Sequence, residues 1–311
     1  FSYPGADEPV LKDVSFTARP GEVTAIIGGT GRGKSTILKL ISRLYDPLSG
    51  QVLIDGINAK EYRIEDLRSL IGYVPQKNVL FSGDIAENLN FGKENGREED
   101  WNIAAKIACA DEFITKKEQD FHEPVAQGGA NLSGGQRQRV LIAMALTRDP
   151  KLVICDEPTT ALDVTVQKQV IKLLNDLQAK LGFAMIFVSH DLALVAEVAH
   201  NITVMYAGQV IEQAPTKELL TNPIHEYTRG LLGSVLSIES GSGRLHQVPG
   251  AVPSPRDFPK GDRFAPRSSH PRIGLDTRPV FKRVPGTEHF YSELPDEVLK
   301  ANGLTPHAEV M

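Results

Sequence analysis

The chain has 311 residues, which is enough for two domains or for one large domain with an appendage. Hydrophobic residues make up 41% and charged residues 23%, proportions typical of a globular protein that buries a core. The 34 Lys and Arg residues and the 39 Asp and Glu residues leave a net charge of −5, which argues against broad binding to nucleic-acid backbones.

The cysteine count and the apolar runs limit where the protein acts. Its two cysteines, Cys109 and Cys155, exclude a disulfide scaffold and indicate a reducing compartment. No uninterrupted apolar run reaches the ~18–20 residues that span a bilayer. The chain begins Phe1-Ser2-Tyr3-Pro4, so we expect no signal peptide and a trimmed or fused start. Any role at a membrane is expected to depend on a partner.

The first 73 residues are rich in strand-like patterns. Strands are predicted over residues 10–16, 22–27 and 51–54 because apolar residues either alternate or run together there. The third run is followed by the turn pair Asp55-Gly56. This part of the chain is therefore expected to consist mainly of β-strands.

Residues 77–150 follow a helical pattern, and from residue 151 apolar strands alternate with helices. The elements predicted in these two parts are helices over 101–110, 133–146 and 164–181 and strands over 152–155 and 183–189. Continuously apolar strands that alternate with helices are typical of a parallel sheet covered on both faces. The sequence therefore predicts an α/β fold.

The last part of the chain, residues 241–311, differs in composition. It holds ten of the 20 prolines, few long apolar runs and interspersed Arg and Lys. We interpret it as an irregular C-terminal extension that packs on the main body or is partly mobile. This name, the C-terminal extension, is kept below for residues 241–311.

A phosphate-binding loop is predicted after the strand at residues 23–27 and before a helix over 37–44. It matches G-x-x-x-x-G-K-[ST] with the residues Gly28, Gly29, Thr30, Gly31, Arg32, Gly33, Lys34, Ser35 and Thr36. Glycines let successive amides face one anion, and the helix N-terminus adds partial positive charge. Lys34 would reach the β- and γ-phosphates and Ser35 would hold Mg²⁺. The alternative is an ordinary glycine turn.

Two further motifs narrow the choice among phosphate-loop proteins. The first places Ser133, Gly134, Gly135 and Gln136 at the start of a helix, where they would face a second phosphate-bearing surface or simply cap that helix. The second is an apolar strand that ends in Asp156-Glu157. Asp156 is placed to hold Mg²⁺ and Glu157 to polarise a water molecule, although two acids after a strand also suit a solvated turn.

These motifs, in this order and spacing, make residues 1–239 resemble the nucleotide-binding domain of ABC transporters. The resemblance implies a P-loop NTPase with a RecA-like parallel core, an antiparallel β subdomain, a helical subdomain and the irregular extension. It further implies that Tyr3 stacks on adenine, that Gln76 senses Mg²⁺ and the attacking water, and that His190 contacts the γ-phosphate. Residues 161–163 resemble the segment that touches the opposite subunit.

The resemblance differs between the two parts of the chain. The front, residues 1–136, resembles multidrug or lipid exporters in residues 79–82, 84–88 and 127–129. The back, residues 137–311, resembles the ATPase subunits of dipeptide or oligopeptide importers, and the segments that carry this likeness are 144–146, 156–165, 205–208 and 222–228. We hypothesise an engineered or recombined chimera; a single natural gene of intermediate character is the alternative.

The importer-like tail implies one further test. Importer subunits of this kind are similar through residues 248–250 and 261–267, where the family often carries cysteines that bind an iron–sulfur cluster. Here the apparent cysteine positions hold Asp262 and Ser268, and no cysteine follows Cys155. Because such clusters need thiolates, usually four, no iron–sulfur cluster is expected.

The resemblance implies an ATPase that closes as a dimer around two Mg-ATP molecules. Its expected partners are a second nucleotide-binding domain, identical or different, and transmembrane subunits, with no nucleic acid. The expected location is cytoplasmic, on the inner face of the cell membrane. Two alternatives remain: a soluble ABC ATPase outside transport, and a module that binds ATP with little or no turnover.

Overall fold

The structure is a computed structural model that describes residues 1–29, 31, 33–91, 93, 96–160, 162–240, 248 and 250–310. The strands of this part are β1 Val23–Ile27, β2 Leu53–Ile54, β3 Ile57–Asn58, β4 Ile71–Val74, β5 Gly83–Asp84, β6 Pro124–Val125, β7 Leu152–Asp156, β8 Ala184–Val188, β9 Asn201–Tyr206, β10 Gln209–Pro215, β11 Val280–Arg283 and β12 Phe290–Glu293. The helices are α1 Lys34–Ile41, α2 Ile64–Ser69, α3 Ile85–Asn90, α4 Glu98–Ile107, α5 Asp111–Ile114, α6 Gly134–Leu146, α7 Val164–Leu181, α8 Leu192–Val198, α9 Thr216–Thr221, α10 Glu226–Ser240 and α11 Asp296–Ala301.

The main sheet has eight strands in the order β11-β12-β10-β9-β1-β8-β7-β4. The five strands from β9 to β4 are parallel, and β10, β12 and β11 continue the sheet in antiparallel pairs. Because parallel strands share one direction, the loops after Ile27, Val74, Asp156 and Val188 emerge at the same edge. That edge is where ligands bind in open α/β sheets.

Both faces of the parallel sheet are buried, which explains why its strands are continuously apolar. In β1, Val23, Ala25 and Ile27 belong to one hydrophobic cluster, and Ile26 belongs to the other. This division follows from the alternation of side chains along a strand. Helices α6 and α7 pack on the first face, and α1 and α2 pack on the second. The predicted α/β fold with a covered parallel sheet is confirmed.

The front of the chain contains less regular strand than predicted. Residues 10–16 form no strand, because Asp13 takes a left-handed backbone conformation at φ 52° and the Lys12 amide bonds to the turn carbonyl of Gly208 at 3.0 Å. Residues 51–54 contribute only β2, which pairs with β3 across Asp55-Gly56. Both turn residues have positive φ, as a tight hairpin of this kind requires.

The C-terminal extension contains regular structure that its composition did not predict. Strand β12 pairs with β10, with Tyr291 opposite Glu212 and Phe290 opposite Gln213, and β11 pairs with β12. A short helix, α11, follows. The prediction of an irregular segment therefore missed these elements, because β12 is paired with a strand far away in sequence and such a partner leaves no local pattern.

In the part of the chain that the structure describes, each helix is too short or too polar to pass through a lipid bilayer.

Candidate functional site

The phosphate loop begins where β1 ends, and its glycines are sterically required. A Cβ on Gly28, whose φ is 148°, would lie 2.3 Å from the carbonyl oxygen of Met205. A Cβ on Gly33, at φ 94°, would lie 2.6 Å from Leu11 Cδ2. Gly31 also has a positive φ, of 72°. At Gly28 and Gly33 a side chain would clash, so the loop wraps closely over the sheet edge.

Lys34 lies at the centre of this loop, with its side chain only 6% exposed at the start of α1. Its ammonium group donates to the carbonyl oxygens of Gly28 at 2.6 Å and Gly29 at 3.0 Å. The Ser35 hydroxyl beside it is exposed. The arrangement places one cation and a helix N-terminus at the same point, which suits a phosphate group. Thr30 and Arg32 of the predicted loop lie outside the described residues.

Three predicted catalytic side chains meet at the carboxylate of Glu157. Gln76 Nε2 donates to Glu157 Oε2 at 3.0 Å, and His190 Nδ1 lies 3.3 Å from the same oxygen. These residues follow β4, β7 and β8, which are neighbours in the sheet, so their meeting is a consequence of the parallel topology. Glu157 has a φ of 47°, a left-handed conformation that is costly for a non-glycine residue and is characteristic of functional sites.

Asp156 ends β7 beside this group and is mostly buried. Burial raises the pKa of its carboxyl group, with Glu157 acting in the same direction, while a hydrogen bond from Tyr73 and the charge of Lys34 oppose the change. The Tyr73 hydroxyl donates to Asp156 Oδ2 at 3.0 Å. A divalent cation nearby would favour the ionised carboxylate.

The residues predicted to hold Mg²⁺ fit that ion chemically. Ser35, Gln76 and Asp156 each carry an oxygen atom, and Mg²⁺ takes oxygen ligands, a few of them from protein and others from phosphate and water. Gln76 is joined to Glu157, the residue after Asp156, and Ser35 follows Lys34, whose charge reaches Asp156. Within the described ranges no cluster of three His, Cys, Asp or Glu side chains could hold a metal alone.

Ser133, Gly134, Gly135 and Gln136 form the start of α6 and lie in a separate arrangement. The Ser133 hydroxyl accepts from the Gln136 amide at 3.2 Å, and Gln136 Oε1 accepts from the Ser133 amide at 3.1 Å. This reciprocal pair is a capping box. A Cβ on Gly135 would lie 2.7 Å from Val166 Cγ1, so this residue allows α6 and α7 to approach closely. The segment's local role is helix capping.

The side chain of Tyr3 packs against α1, the helix that begins with Lys34. Its hydroxyl and the Thr36 hydroxyl are 2.9 Å apart, and Lys39 Nζ lies 5.4 Å from the centre of its ring. Phe1 and Tyr45 pack edge-on against the same ring at 5.1 and 5.2 Å. An aromatic ring is thus anchored beside the phosphate loop, as a base-stacking role for Tyr3 requires.

Known protein families and individual proteins resemble this chain in sequence. A family model for ABC transporters matches residues 11–160, and a model for the C-terminal region of oligopeptide/dipeptide transporters matches residues 211–272. The oligopeptide transport ATP-binding protein OppD of Bacillus subtilis is 36% identical over 307 residues, which cover 93% of this chain and 85% of that protein. The chain belongs to the ABC transporter family. It is therefore an ABC ATPase.

Other relatives of this ABC ATPase differ in how much they share with it. A probable peptide ABC transporter ATP-binding protein of Sinorhizobium fredii is 37% identical over 273 residues, 83% of this chain and 74% of that protein. The ATP-bound structure of a bacterial Atm1-family ABC exporter superimposes with a TM-score of 0.67 at 31% identity, covering 77% of this chain. The chain spans 41% of that exporter's length.

The structure of this ABC ATPase adds site residues that the sequence did not indicate. Thr160 Oγ1 donates to Glu157 Oε2 at 3.1 Å, and Tyr73 bonds to Asp156 as described above. Tyr227 of α10 accepts a hydrogen bond from the Gly29 amide at 3.1 Å through its hydroxyl oxygen. Tyr227 is far from the loop in sequence and belongs to no chemical motif, so only the tertiary structure reveals it.

Proposed function

We propose that this ABC ATPase hydrolyses Mg-ATP as one half of a dimer and thereby drives peptide import through separate membrane subunits. The observation that carries the proposal is the meeting of Gln76, Glu157 and His190 at one carboxylate oxygen beside the phosphate loop. A glutamate held in this way can accept a proton from a water molecule that attacks the terminal phosphate.

The remaining loop residues are assigned to binding in this proposal. Lys34 and the loop amides of residues 28–36 bind the β- and γ-phosphates, and Tyr3 stacks on adenine. Ser35, Gln76 and Asp156 would hold Mg²⁺, which would supply positive charge at the phosphate oxygens. His190 and Gln76 orient the γ-phosphate and the water around Glu157.

The dimer follows from the position of the α6 cap in this proposal. Ser133 and Gln136 hydrogen-bond to each other in one copy, and Gly135 lies close to Val166 of α7. The N-terminal end of α6, which these four residues form with Gly134, is assigned to the nucleotide of the second copy. The second subunit is either an identical chain or a different nucleotide-binding domain. Each ATP would then lie between the phosphate loop of one subunit and the α6 N-terminus of the other.

Peptide transport is the assigned role because OppD and the Sinorhizobium protein are named for it and because the C-terminal region matches the oligopeptide/dipeptide model. We place the ATPase domain at residues 1–240, with a helical subdomain at about 77–150, and the extension at 241–311. The membrane subunits would hold the protein on the cytoplasmic face of the membrane, and no role for nucleic acid is assigned.

The experiment for this proposal is Glu157→Gln, which keeps the size of the side chain and removes its basicity. We expect phosphate release to fall by about 10²–10⁴-fold, the usual contribution of a general base. ATP binding is retained, and sedimentation with Mg-ATP detects a dimer. Glu118→Gln, which changes an exposed carboxylate in the helical part, is the matched control and retains full activity.

Three results would contradict the proposal. A rate for the unaltered chain that is no higher than that of Glu157→Gln would instead favour a module that binds ATP without turnover. Sedimentation that detects only monomer for Glu157→Gln with Mg-ATP would contradict the dimeric site. If the chain hydrolyses ATP but restores peptide uptake with none of the membrane subunits tested, a soluble ABC ATPase outside transport would be favoured.

We also propose that the front of the chain, residues 1–136, is of exporter type and the back, residues 137–311, of peptide-importer type. The likeness of residues 79–82 and 84–88 to exporters, and of residues 156–165 and 222–228 to peptide importers, supports this proposal. If the two parts, compared separately, match the same family equally well, the proposal of a chimera is wrong and a single natural gene accounts for the chain.

A further inference from the structure

We infer that Tyr227 is a positioning residue for the phosphate loop, and that through it the C-terminal extension controls how tightly the loop binds ATP. The inference rests on the proposed binding of ATP at this loop. It concerns a part of the chain, α10 and the extension, that contains none of the residues assigned to phosphate, Mg²⁺ or water.

The peptide unit between Gly28 and Gly29 is held by a hydrogen bond at each end. Its carbonyl oxygen, on Gly28, accepts from Lys34 Nζ at 2.6 Å, and its amide, on Gly29, donates to Tyr227 Oη at 3.1 Å. Tyr227 therefore fixes one end of the peptide plane whose other end holds the ammonium group of Lys34. Without the phenol oxygen, this peptide has one fewer restraint on its rotation, and Gly28 and Gly29 offer little resistance to rotation.

Tyr227 is itself held in place by the packing of its ring. Its ring is buried and meets Tyr206 edge-on at 4.9 Å and Phe264 at 6.1 Å, and those two rings meet each other at 5.2 Å. Tyr206 and Phe264 are also buried. Phe264 belongs to the extension, so the aromatic cluster of Tyr206, Tyr227 and Phe264 joins β9, α10 and the extension in one rigid contact.

Arg263, the residue before Phe264, anchors this part of the extension. Arg263 is buried and donates to the carbonyl oxygens of Ala207 and of Pro9, the latter at 3.1 Å. Ala207-Gly208 is the turn between β9 and β10, and a Cβ on Gly208 would lie 1.7 Å from the Val10 carbonyl oxygen. Arg263 thus fixes the extension to the turn beneath the loop, and Phe264 cannot move independently of that turn.

Together these contacts form a continuous path from the extension to Lys34. Arg263 fixes the backbone on which Phe264 is placed, Phe264 packs against Tyr227, and Tyr227 holds the 28–29 peptide. The path acts on binding rather than on chemistry, because none of its members contacts Gln76, Glu157 or His190 in the described contacts. We therefore expect a change in ATP affinity with little change in the rate of the bound enzyme.

The test is Tyr227→Phe, which removes the hydroxyl group and keeps the ring. We expect the Kd for Mg-ATP, measured by calorimetry, to rise about threefold to tenfold, the effect of one net hydrogen bond. The KM rises in the same proportion, and kcat stays within about twofold. The matched control is Tyr62→Phe, which removes a hydroxyl that donates to the Ile54 carbonyl at 2.9 Å, away from the loop.

The role of the extension is tested separately with Phe264→Leu and with the double variant Phe264→Leu/Tyr227→Phe. Phe264→Leu is expected to raise the Kd by itself, and the double variant to raise it by less than the product of the two single effects, because both changes act on the same hydrogen bond. Thermal unfolding of each variant confirms that the folded chain is being compared.

Three outcomes decide the inference. A Kd for Tyr227→Phe equal to that of Tyr62→Phe and of the unaltered chain would overturn the role of Tyr227, while ATP binding by the unaltered chain would leave the proposed function intact. Single effects of Tyr227→Phe and Phe264→Leu that multiply in the double variant would overturn the path through the extension. An unaltered chain that binds no ATP would overturn the proposed function and this inference together.

Discussion

The phosphate-loop edge and the C-terminal extension are organised in different ways. At the edge, residues close in sequence supply backbone amides and one cation, and the side chains proposed for catalysis follow the ends of neighbouring parallel strands. In the extension, single buried side chains make the connections, such as Arg263 to the β9–β10 turn. The edge therefore follows from local motifs and sheet topology, whereas the extension depends on strand pairing and on buried contacts between residues that are far apart in sequence.

The largest of these contacts is a buried cluster between the extension and the end of the sheet. His289 lies between two carboxylates, with Nε2 2.7 Å from Glu212 Oε1 and Nδ1 3.1 Å from Glu218 Oε1. Glu212 and His289 are fully buried, and the amides of Ile224 and His225 also donate to Glu212. Buried charges need such partners, so this cluster joins β10, α9, the start of α10 and the β12 hairpin.

The largest expected effect is on stability, and it tests the contrast between the phosphate-loop edge and the extension. His289→Ala leaves the buried Glu212 carboxylate without its hydrogen-bond partner, so we expect the free energy of unfolding to fall by about 3 kcal/mol or more. Chemical denaturation of the whole chain measures this loss. His270→Ala, in an exposed position of the same extension, is the matched control and is expected to have a minor effect. A loss for His289→Ala no greater than for the control would mean that the cluster does not hold the extension.

At the phosphate-loop edge the expected effect is on binding. Lys34→Ala removes the cation that the loop carbonyls hold in place, so the phosphate charge is left uncompensated. We expect ATP affinity to fall about 100-fold, as the loss of charge-assisted hydrogen bonds predicts, with a much smaller change in stability than His289→Ala causes. Calorimetry with ATP measures the first quantity and denaturation the second.

The control for Lys34→Ala is Lys60→Ala, which changes an exposed lysine in the front of the chain. Unchanged ATP affinity in Lys34→Ala would mean that the loop has been assigned incorrectly. A large loss of stability with unchanged affinity would remove the contrast between the two regions.

The smallest expected effect is on the acid side of the stability profile. Burial alone would raise the pKa of Glu212, but hydrogen bonds from His289 and from the Ile224 and His225 amides lower it below its ordinary value of 4.5. A carboxyl group whose pKa is lower in the folded state contributes stability above its ordinary pKa. That contribution is lost as the pH falls from 4.5 through the lower folded pKa.

Denaturation curves recorded between pH 7 and acid pH measure this contribution. Glu212→Gln removes the titrating group, so we expect its stability to depend less on pH in that window than the stability of the unaltered chain. Glu118→Gln, at an exposed carboxylate, is the control. Identical acid slopes for the unaltered chain and Glu212→Gln would show that the cluster does not contribute this linkage.

The sequence was most informative where chemistry is local. The strand at 23–27, the helix at 164–181 and the strand ending at Asp156 were predicted within a residue or two, because each has a long apolar pattern and a clear boundary. It was least informative for residues 10–16, where a left-handed Asp13 and a bond to Gly208 override the alternating pattern. Helix ends were also shifted by several residues, as in α1 and α4.

The candidate site divides in the same way. Glu157 was predicted from its position after an apolar strand, and Gln76 and His190 from the resemblance to ABC transporters. The structure brings the three together because they follow strands that are parallel neighbours. Tyr73, Thr160 and Tyr227 were not predicted. Each is an ordinary strand, loop or helix residue in sequence, and only its distance to Asp156, Glu157 or Gly29 identifies it.

By itself, the sequence determined the glycines of the loop, its lysine, the acids after β7 and the α/β alternation, because backbone geometry and charge act over a few residues. Only the tertiary structure decided that β12 extends the sheet, that His289 lies between Glu212 and Glu218, and that Tyr227 reaches Gly29. The physical reason is that burial and hydrogen bonding between distant segments depend on how the whole chain packs, and a local pattern does not record which partner a side chain meets.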